Sequence, residues 1–596
     1  MPKRMNVKSG IVFFSFLLAL IFLSTSLSSG YGLSTNNLLK NEIVEGEQRK
    51  KIDGYLRQIT PFGFSGALLV AKNGKIILNK GYGMAIRSEN IPNTSETVFS
   101  TGSITKQFTA AGIMKLEMQG KLSANDPITK FFEKVPEEKE TITLHYLLTH
   151  TSGVINYTGM DYETAKRDET ARKILDARLL FKPGERFEYS NAGYSLLAAI
   201  IEKVSGKGYE EFLHEYLFEP AGMRFTGYRL PKWEKKVVAH WYVGEKDNGI
   251  PLEKPYPYWN LLGNGGILST TGDMYKWHLA LKGDKILSPE AKKKIFTSFL
   301  NDYGYGWDVL KTDRGILIQH DGGSVLGNSA EIRQYIDADL VTILFCNQSF
   351  GRRALFGAIR DKIETLAFGG DVVIPPSVIT LDIEKLRKFE GTYSLSSGGH
   401  LEADIENGRL TIKAKGQDAI NALLFPEKAS PGLFKDLNKL SVSVFEAAIK
   451  GDYKPFENVL QDKERRLERV RQLIEMRIRR YKEKTGEIQE VKVFGTLPSD
   501  YGGEDAVMTQ VQLKGEKGSI YFSLYWRNKM NIGVGPLMGI QEISVPFMLL
   551  SGNEFAGYHL GMAKNIRLSF GVDSSGTITG LTVNNPSGDL TAKKIK

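Results

Sequence analysis

Ser103-Ile104-Thr105-Lys106 stands directly before an apolar helical pattern, Phe108, Ala111, Ile113, Met114 and Leu116. If Ser103 opens a helix, Lys106 lies one turn further on and faces the same side, which puts an amine within reach of a hydroxyl. A serine is a poor nucleophile until a neighbour takes its proton, and an amine at that position is such a neighbour. The helix N-terminus adds free N–H groups and positive potential where an oxyanion would form. On its own this spacing is common and fits a capping serine with a surface lysine better.

Two further clusters accompany it. Tyr189-Ser190-Asn191 precedes a helical pattern from about Ala192 to Val204. A tyrosine and an asparagine two apart on a loop reach one cleft, the first to relay a proton, the second to orient a substrate amide or Lys106. The plainer alternative is an aromatic anchor followed by an Asn N-cap. His320-Asp321-Gly322-Gly323 ends the apolar strand pattern Gly315-Ile316-Leu317-Ile318, and its glycines allow a substrate close to the backbone.

The elements that must position these clusters are legible in outline. Asn73-Gly74 between two apolar runs signals a tight hairpin. A helical region follows from about Thr101 to Gly222, and strand patterns return at 315–318 and 340–345. An antiparallel sheet whose first and last strands bracket a helical region fits this order. Pro375-Pro376 marks a boundary. Beyond it lie a second Asn-Gly hairpin at Asn407-Gly408, helices expected over Phe445 to Leu460 and Asp462 to Lys482, and strands expected over Ala506 to Leu513 and Ser519 to Trp526. A turn is expected at Asp573-Ser574-Ser575-Gly576.

With all three clusters in one order, the chain resembles the serine β-lactamase and penicillin-binding protein superfamily, and most of all its class C β-lactamase-related branch of esterases and D-amino-acid peptidases. The supporting segments are Leu147-Leu148-Thr149-His150-Thr151-Ser152-Gly153, Phe218-Glu219-Pro220-Ala221-Gly222-Met223, Gly265-Gly266-Ile267-Leu268-Ser269-Thr270-Thr271-Gly272-Asp273-Met274 and Tyr305-Gly306-Trp307. The resemblance implies an α/β (α+β) β-lactamase-like fold over residues 51–372, an antiparallel sheet flanked by helices with a helical subdomain. Residues 378–440 and 546–596 resemble a small lipocalin-like, β-barrel-like domain, split by an α+β insert over 441–545.

The resemblance also implies roles. Ser103 is the acylated nucleophile, and Lys106 and Tyr189 share general-base and general-acid work, with the choice of base left open. Asn191 binds substrate, alongside His320, Asp321 and Gly322. The backbone N–H groups of Ser103 and Gly323 form the oxyanion hole, and no cofactor or metal is required. One departure stands out. β-Lactamases and many peptidases of this superfamily carry Lys-Thr-Gly or Lys-Ser-Gly where this chain has His320-Asp321-Gly322. Histidine is mostly neutral at neutral pH, so a penicillin carboxylate loses its anchor. An ester or amide substrate, in the manner of an esterase or a cell-wall peptidase, is expected instead.

Other chemistries fit poorly. No G-x-S-x-G element is present, His214-Glu215 lacks the second zincin histidine, and no phosphate loop occurs. Cys346 is the only cysteine, which excludes an intramolecular disulfide and a cysteine zinc site. The arginines from 465 to 480 alternate with Glu464, Glu468 and Glu475, which reads as a solvated helix face rather than a nucleic-acid surface. The competing class of function is a binding or sensor protein with a degenerate hydrolase domain, and the complete set Ser103, Lys106, Tyr189 and Asn191 argues against it.

Lys3, Arg4 and Lys8 precede an apolar run from Ile11 to Leu23 and then Ser24, Ser26, Ser28 and Gly30. That order reads as a signal peptide over residues 1–29, followed by a polar leader over 30–50, with export to the periplasm or the exterior. The run is shorter than the roughly 20 residues that span a bilayer, which favours a cleaved signal over the alternative, an N-terminal membrane anchor. The net charge of +10 reads first as general solubility, with association with an anionic cell envelope as the alternative. The expected partner is a small-molecule or peptide substrate. N-terminal sequencing of the exported protein should begin between Ser24 and Gly30. An intact Met1 in the membrane fraction would favour the anchor, and a soluble cytoplasmic pool would reject both.

Overall fold

The computed structural model describes residues 46–596 except 245, 350–352, 376, 380–381, 407–408, 426–431, 433, 500–505, 538, 541–542, 560–563 and 587. The expected signal peptide, nearly all of the polar leader, Pro376 and the Asn407-Gly408 turn lie outside the described residues.

The first domain is built on a six-stranded antiparallel sheet. Its elements, in chain order, are helix α1 (Glu47–Ile59), strands β1 (Gly66–Lys72) and β2 (Lys75–Tyr82), helices α2 (Thr105–Met118), α3 (Asn191–Ser205) and α4 (Thr271–Lys282), strands β3 (Asp308–Thr312), β4 (Gly315–Ser324), β5 (Asn328–Tyr335) and β6 (Leu340–Cys346), and helix α5 (Arg353–Ala367). The strand order is β2-β1-β6-β5-β4-β3. As expected, the first strands and the last bracket a helical region, and β1 pairs with β6 from Gly66 opposite Cys346 to Lys72 opposite Leu340. The β1–β2 turn carries positive φ at Asn73 (52°) and Gly74 (71°), the conformation that Asn-Gly tolerates best.

Both faces of this sheet are covered, which is why β1 is buried from Gly66 to Ala71 rather than alternating. Leu68, Val70, Leu344 and Cys346 point into a core shared with Ile52, Leu56, Ile359 and Ile363 of α1 and α5. A buried ionic cluster clamps α5 to the same face. Arg333 Nε donates to Glu364 Oε1 at 2.5 Å, and Tyr335 Oη donates to Glu364 Oε2 at 2.7 Å. Helix α4 packs on the opposite side of β1 and β6. Helix α2, which carries Lys106, is almost wholly buried.

The C-terminal region contains a closed eight-stranded barrel: β7 (Gly391–Leu395), β8 (His400–Glu406), β9 (Arg409–Lys415), β14 (Ile543–Ser551), β15 (Glu554–His559), β16 (Lys564–Val572), β17 (Ile578–Asn584) and β18 (Leu590–Lys594). Phe389, Phe547, Phe555 and Phe570 fill its core. Closure removes the exposed sheet edges that so small a sheet would otherwise present. The expected turn at Asp573 forms, with Gly576 N donating to Asp573 O at 3.0 Å.

Between β9 and β14 the chain leaves the barrel. Helices α6 (Gln417–Leu424), α7 (Lys435–Ile449) and α8 (Lys463–Thr485) precede a four-stranded antiparallel sheet, β10 (Ile488–Pro498), β11 (Val507–Gly515), β12 (Gly518–Arg527) and β13 (Met530–Leu537). The insertion therefore follows Lys415 and ends before Ile543, a wider interval than 441–545. Residue 441 falls inside α7, whose polar first turns conceal its continuity with Val444 and Phe445. The helix expected over Phe445 to Leu460 is also two pieces. Gly451, at φ 82°, interrupts it, and a short helix restarts at Lys454–Val459 with Pro455 in its first turn. The stripe Val470, Ile474, Ile478 and Tyr481 of α8 is buried, and its first three members join a separate core with Phe445, Phe522 and Trp526.

The barrel touches the first domain near Pro61, whose carbonyl accepts from Arg409 Nη1 at 2.8 Å. Met548 packs into the core between the sheet and α1. That face lies opposite the one bearing α4. A chain ending at Pro375 should therefore fold and still be acylated at Ser103, with a modest fall in Tm from the lost contact. A folded truncation that resists acylation would show that the C-terminal region completes the site.

Candidate active site

Ser103 sits in a single tight turn, Gly102–Ile104, that leads directly into α2. Lys106 is thus one turn on, as its spacing requires, and it is completely buried. Its Nζ lies 3.1 Å from Ser103 Oγ and donates to Asn191 Oδ1 and to the Asn264 carbonyl, both at 2.7 Å. The rings of Tyr189 and Tyr194 cover it, with centroids 4.8 and 5.6 Å from Nζ. Burial holds the amine well below the ordinary lysine value, and the charges of Asp161 and Asp321 oppose that shift.

This geometry has a chemical consequence. A neutral amine has two N–H groups and one lone pair. Asn191 and Asn264 occupy the two donors, so the lone pair is left facing Ser103. Burial pushes the Tyr189 phenol in the other direction, well above its ordinary value, although a hydrogen bond with Ser103 pulls it back. The Tyr189 phenol is thus held neutral beside Ser103.

Asn191 is available because Ser190 takes the cap of α3, accepting from Gly193 N at 3.0 Å. The sequence suggested Asn191 as that cap. Asn156 Oδ1 accepts from both Asn191 N and Asn191 Nδ2, at 3.0 and 3.1 Å, which turns the Asn191 carbonyl oxygen toward Lys106. Asn264 is fixed in the same way. Its Nδ2 donates to Ser195 Oγ and to the Asn260 carbonyl, both at 2.9 Å. Its ligand to Lys106 is a main-chain carbonyl, a group every residue type carries, so its role leaves no sequence signal.

The glycines bring strand β4 against the Ser103 turn. Gly102 has φ 55°, and a Cβ there would lie 2.4 Å from Gly323 N. A Cβ on Gly322 would lie 2.1 Å from Thr101 O and 2.6 Å from Ser103 N. No side chain fits between these backbones, so β4 runs directly against the Ser103 turn, with Gly323 N and Ser103 N both at this contact.

His320 is 3% exposed, and protein groups hold both ring nitrogens. Nε2 pairs with Tyr303 Oη at 2.9 Å, and Nδ1 donates to the Asp321 carbonyl at 2.6 Å. Nδ1 therefore carries a hydrogen, and in the neutral ring Nε2 accepts from Tyr303 Oη. Burial lowers its pKa, with Asp308 and Asp321 acting against it and Lys106 reinforcing it. The ring therefore does not supply the cation that a lysine would. Asp321 follows on the same strand and opposes Glu331 across the ladder.

His150 belongs to the Leu147–Gly153 segment and has no role assigned from the sequence, and the structure gives it one. Its Nδ1 accepts from Ser190 N at 3.0 Å, and its carbonyl accepts from Glu188 N at 2.9 Å. Its ring lies 4.2 Å from that of Tyr189 and 4.8 Å from that of Tyr303. Burial and the neighbouring Lys106 and His320 keep it neutral, the state in which Nδ1 can accept. His150 thus brackets Tyr189 from both sides.

A family model described as Beta-lactamase matches residues 60–364. "Putative penicillin-binding protein PbpX" of Bacillus subtilis (strain 168) is 32% identical over 333 residues, which is 55% of this chain and 80% of that protein. Among solved structures, a penicillin binding protein from Bacillus halodurans superposes with a TM-score of 0.46 at 29% identity, covering 54% of this chain and 100% of that one. The octameric penicillin-binding protein homologue from Pyrococcus abyssi gives 0.48 at 21% identity, covering 90% and 97%. The chain belongs to the beta-lactamase family, whose members are serine hydrolases.

His150→Phe keeps a ring in the aromatic cluster but leaves the Ser190 N–H without its acceptor. An unpaired buried donor costs about 1–3 kcal/mol. We expect a lower Tm together with a fall of about tenfold or more in kcat/KM, as Tyr189 loses its fixed position. Unchanged stability and unchanged kcat/KM would contradict the bracketing role.

Proposed function

We propose that the protein hydrolyses an ester or amide through an acyl-enzyme on Ser103. The observation that carries this reading is the buried Lys106 amine, 3.1 Å from Ser103 Oγ, with its two donors already committed to Asn191 and Asn264. In the proposed reaction Nζ takes the hydroxyl proton as Oγ attacks the substrate carbonyl. The Ser103 and Gly323 N–H groups receive the charge that develops on oxygen. The bond to the leaving group then breaks, and the Tyr189 phenol passes it a proton, recovering one from Lys106. Water repeats the sequence on the acyl-enzyme and frees Ser103. The ammonium that forms transiently at Lys106 is met by two carbonyl oxygens and by the charges of Asp161 and Asp321.

Esterase-like or peptidase-like substrates fit this site better than penicillins, because His320 offers no cation to a carboxylate. β-Lactam turnover is expected to be weak or absent. The basic, apolar and small-residue order of the N-terminus supports an exported enzyme working in or outside the envelope.

A fluorophosphonate probe should label the protein, and mass mapping should place the adduct on Ser103. Ser103→Ala should abolish labelling and lower turnover of short acyl esters by about a thousandfold or more, with the fold retained. Lys106→Arg should do nearly the same, since guanidinium does not give up its proton. A folded Ser103→Ala protein that keeps most of its activity would overturn the assignment.

A further inference from the structure

Asn328, the first residue of β5, is a buried amide that the site described so far does not use. Both ends of its side chain are engaged. Nδ2 donates to the Ser100 carbonyl at 3.1 Å, and Oδ1 accepts from Ser324 Oγ at 2.7 Å. Ser100 lies one residue before the Thr101-Gly102-Ser103 turn, and Ser324 follows Gly323 directly. One amide therefore spans the two segments whose N–H groups are assigned to the developing charge.

Each end of that span rests on a fixed support. On the nucleophile side, Phe99 and Ser100 pair with Ser269 and Leu268. Thr101 donates to the Ile267 carbonyl from N and from Oγ1, at 2.9 and 2.8 Å. On the strand side, Ser324 Oγ also accepts from Leu326 N at 3.2 Å, and Asn248 Nδ2 donates to the Leu326 carbonyl at 2.8 Å. Gly327 lies so close to the backbone of Tyr242 that a Cβ would come within 2.4 Å of its carbonyl oxygen. These contacts fix the β4–β5 turn, and the Asn328 amide carries that fixed position across to Ser100. Gly322 and Gly323 have no side chains of their own to anchor them. The end of β4 is therefore located by its neighbours, with Gly323 opposite Ser329 and Ser324 opposite Asn328.

We infer that Asn328 is a positioning residue for acyl transfer. It holds the end of β4 against the Ser103 turn, so that Gly323 N and Ser103 N serve one developing oxyanion. It touches no reacting atom and acts through Ser100 and Ser324. The inference rests on the acyl-enzyme reading of Ser103. Donors that stabilise a transition state must already stand where the charge forms, and a small misplacement of such groups costs rate without costing substrate binding.

The test uses the full-length protein, a short-chain p-nitrophenyl ester and its thiono counterpart. The thiono sulfur is larger and a weaker hydrogen-bond acceptor, so it gains less from a well-fitted pair of donors. Asn328→Leu keeps the volume and removes both hydrogen bonds. We expect kcat for the ester to fall by about tenfold to a hundredfold with KM nearly unchanged, and the preference for oxygen over sulfur to narrow by about tenfold. Phosphonylation of Ser103 by a fluorophosphonate, which also presents an oxygen to the donors, should slow in step. Ser324→Ala removes one of the two bonds on a half-exposed residue and should show the same changes more weakly, which keeps the test open if Asn328→Leu does not fold. A folded variant that loses only Tm, or that slows equally on the oxygen and sulfur substrates, would overturn the inference. Labelling of Ser103 in the unaltered protein separates the two claims. A labelled protein whose oxygen preference and phosphonylation rate ignore both substitutions sinks the inference alone, whereas no labelling and no turnover of either ester sinks the acyl-enzyme reading beneath it.

Discussion

The site depends on a lysine amine being taken out of water and held by two carbonyl oxygens. Burying an ammonium costs several kcal/mol, whereas a neutral amine with both N–H groups satisfied costs far less. Complete burial of Lys106 therefore favours the neutral form, and the neutral form is the one able to accept a proton from Ser103. The positions of Asn191 and Asn264 then decide where the lone pair points. Had either carbonyl been missing, the amine could turn away from the serine or draw in water.

Much of the surrounding fold maintains that arrangement. Ser190 caps α3, which leaves the Asn191 side chain free. Asn156, whose carbonyl accepts from Ala192 N, and Asn260, held by Thr158 and the Met160 carbonyl, set the two residues that face Lys106. Tyr189 and Tyr194 close over the amine, and His150 holds Tyr189 in place through the backbone of Glu188 and Ser190. On the other side of the nucleophile, Gly102 and Gly322 let β4 approach the Ser103 turn so closely that no side chain fits between. The sheet, buried on both faces and clamped by the Arg333–Glu364 pair, supplies the rigidity such tolerances require.

What the sequence makes legible here follows from what kind of group each residue contributes. Ser103 and Lys106 are readable because one helical turn relates them. Tyr189 and Asn191 are readable because they act through side chains on one short loop. The bracketing strands are readable from the Asn73-Gly74 turn and their apolar runs. Asn264 is silent because it acts through its main chain, and Asn156 because its partner is 35 residues away. His150 has no ligand spacing, and its partners are backbone groups. The break at Gly451 and the continuity of α7 through residue 441 depend on packing inside the insertion, where local composition points the other way.

The central claim is that Lys106 rests as a neutral amine. Nitrogen-15 NMR of lysine side chains, with the Lys106 signal assigned by its loss in Lys106→Arg, measures this directly. The account predicts that this signal titrates well below the ordinary lysine value of about 10.4, while exposed lysines titrate near it. A Lys106 amine that stays charged up to the range of the exposed lysines would contradict the account, because the lone pair assigned to Ser103 would then not exist at neutral pH.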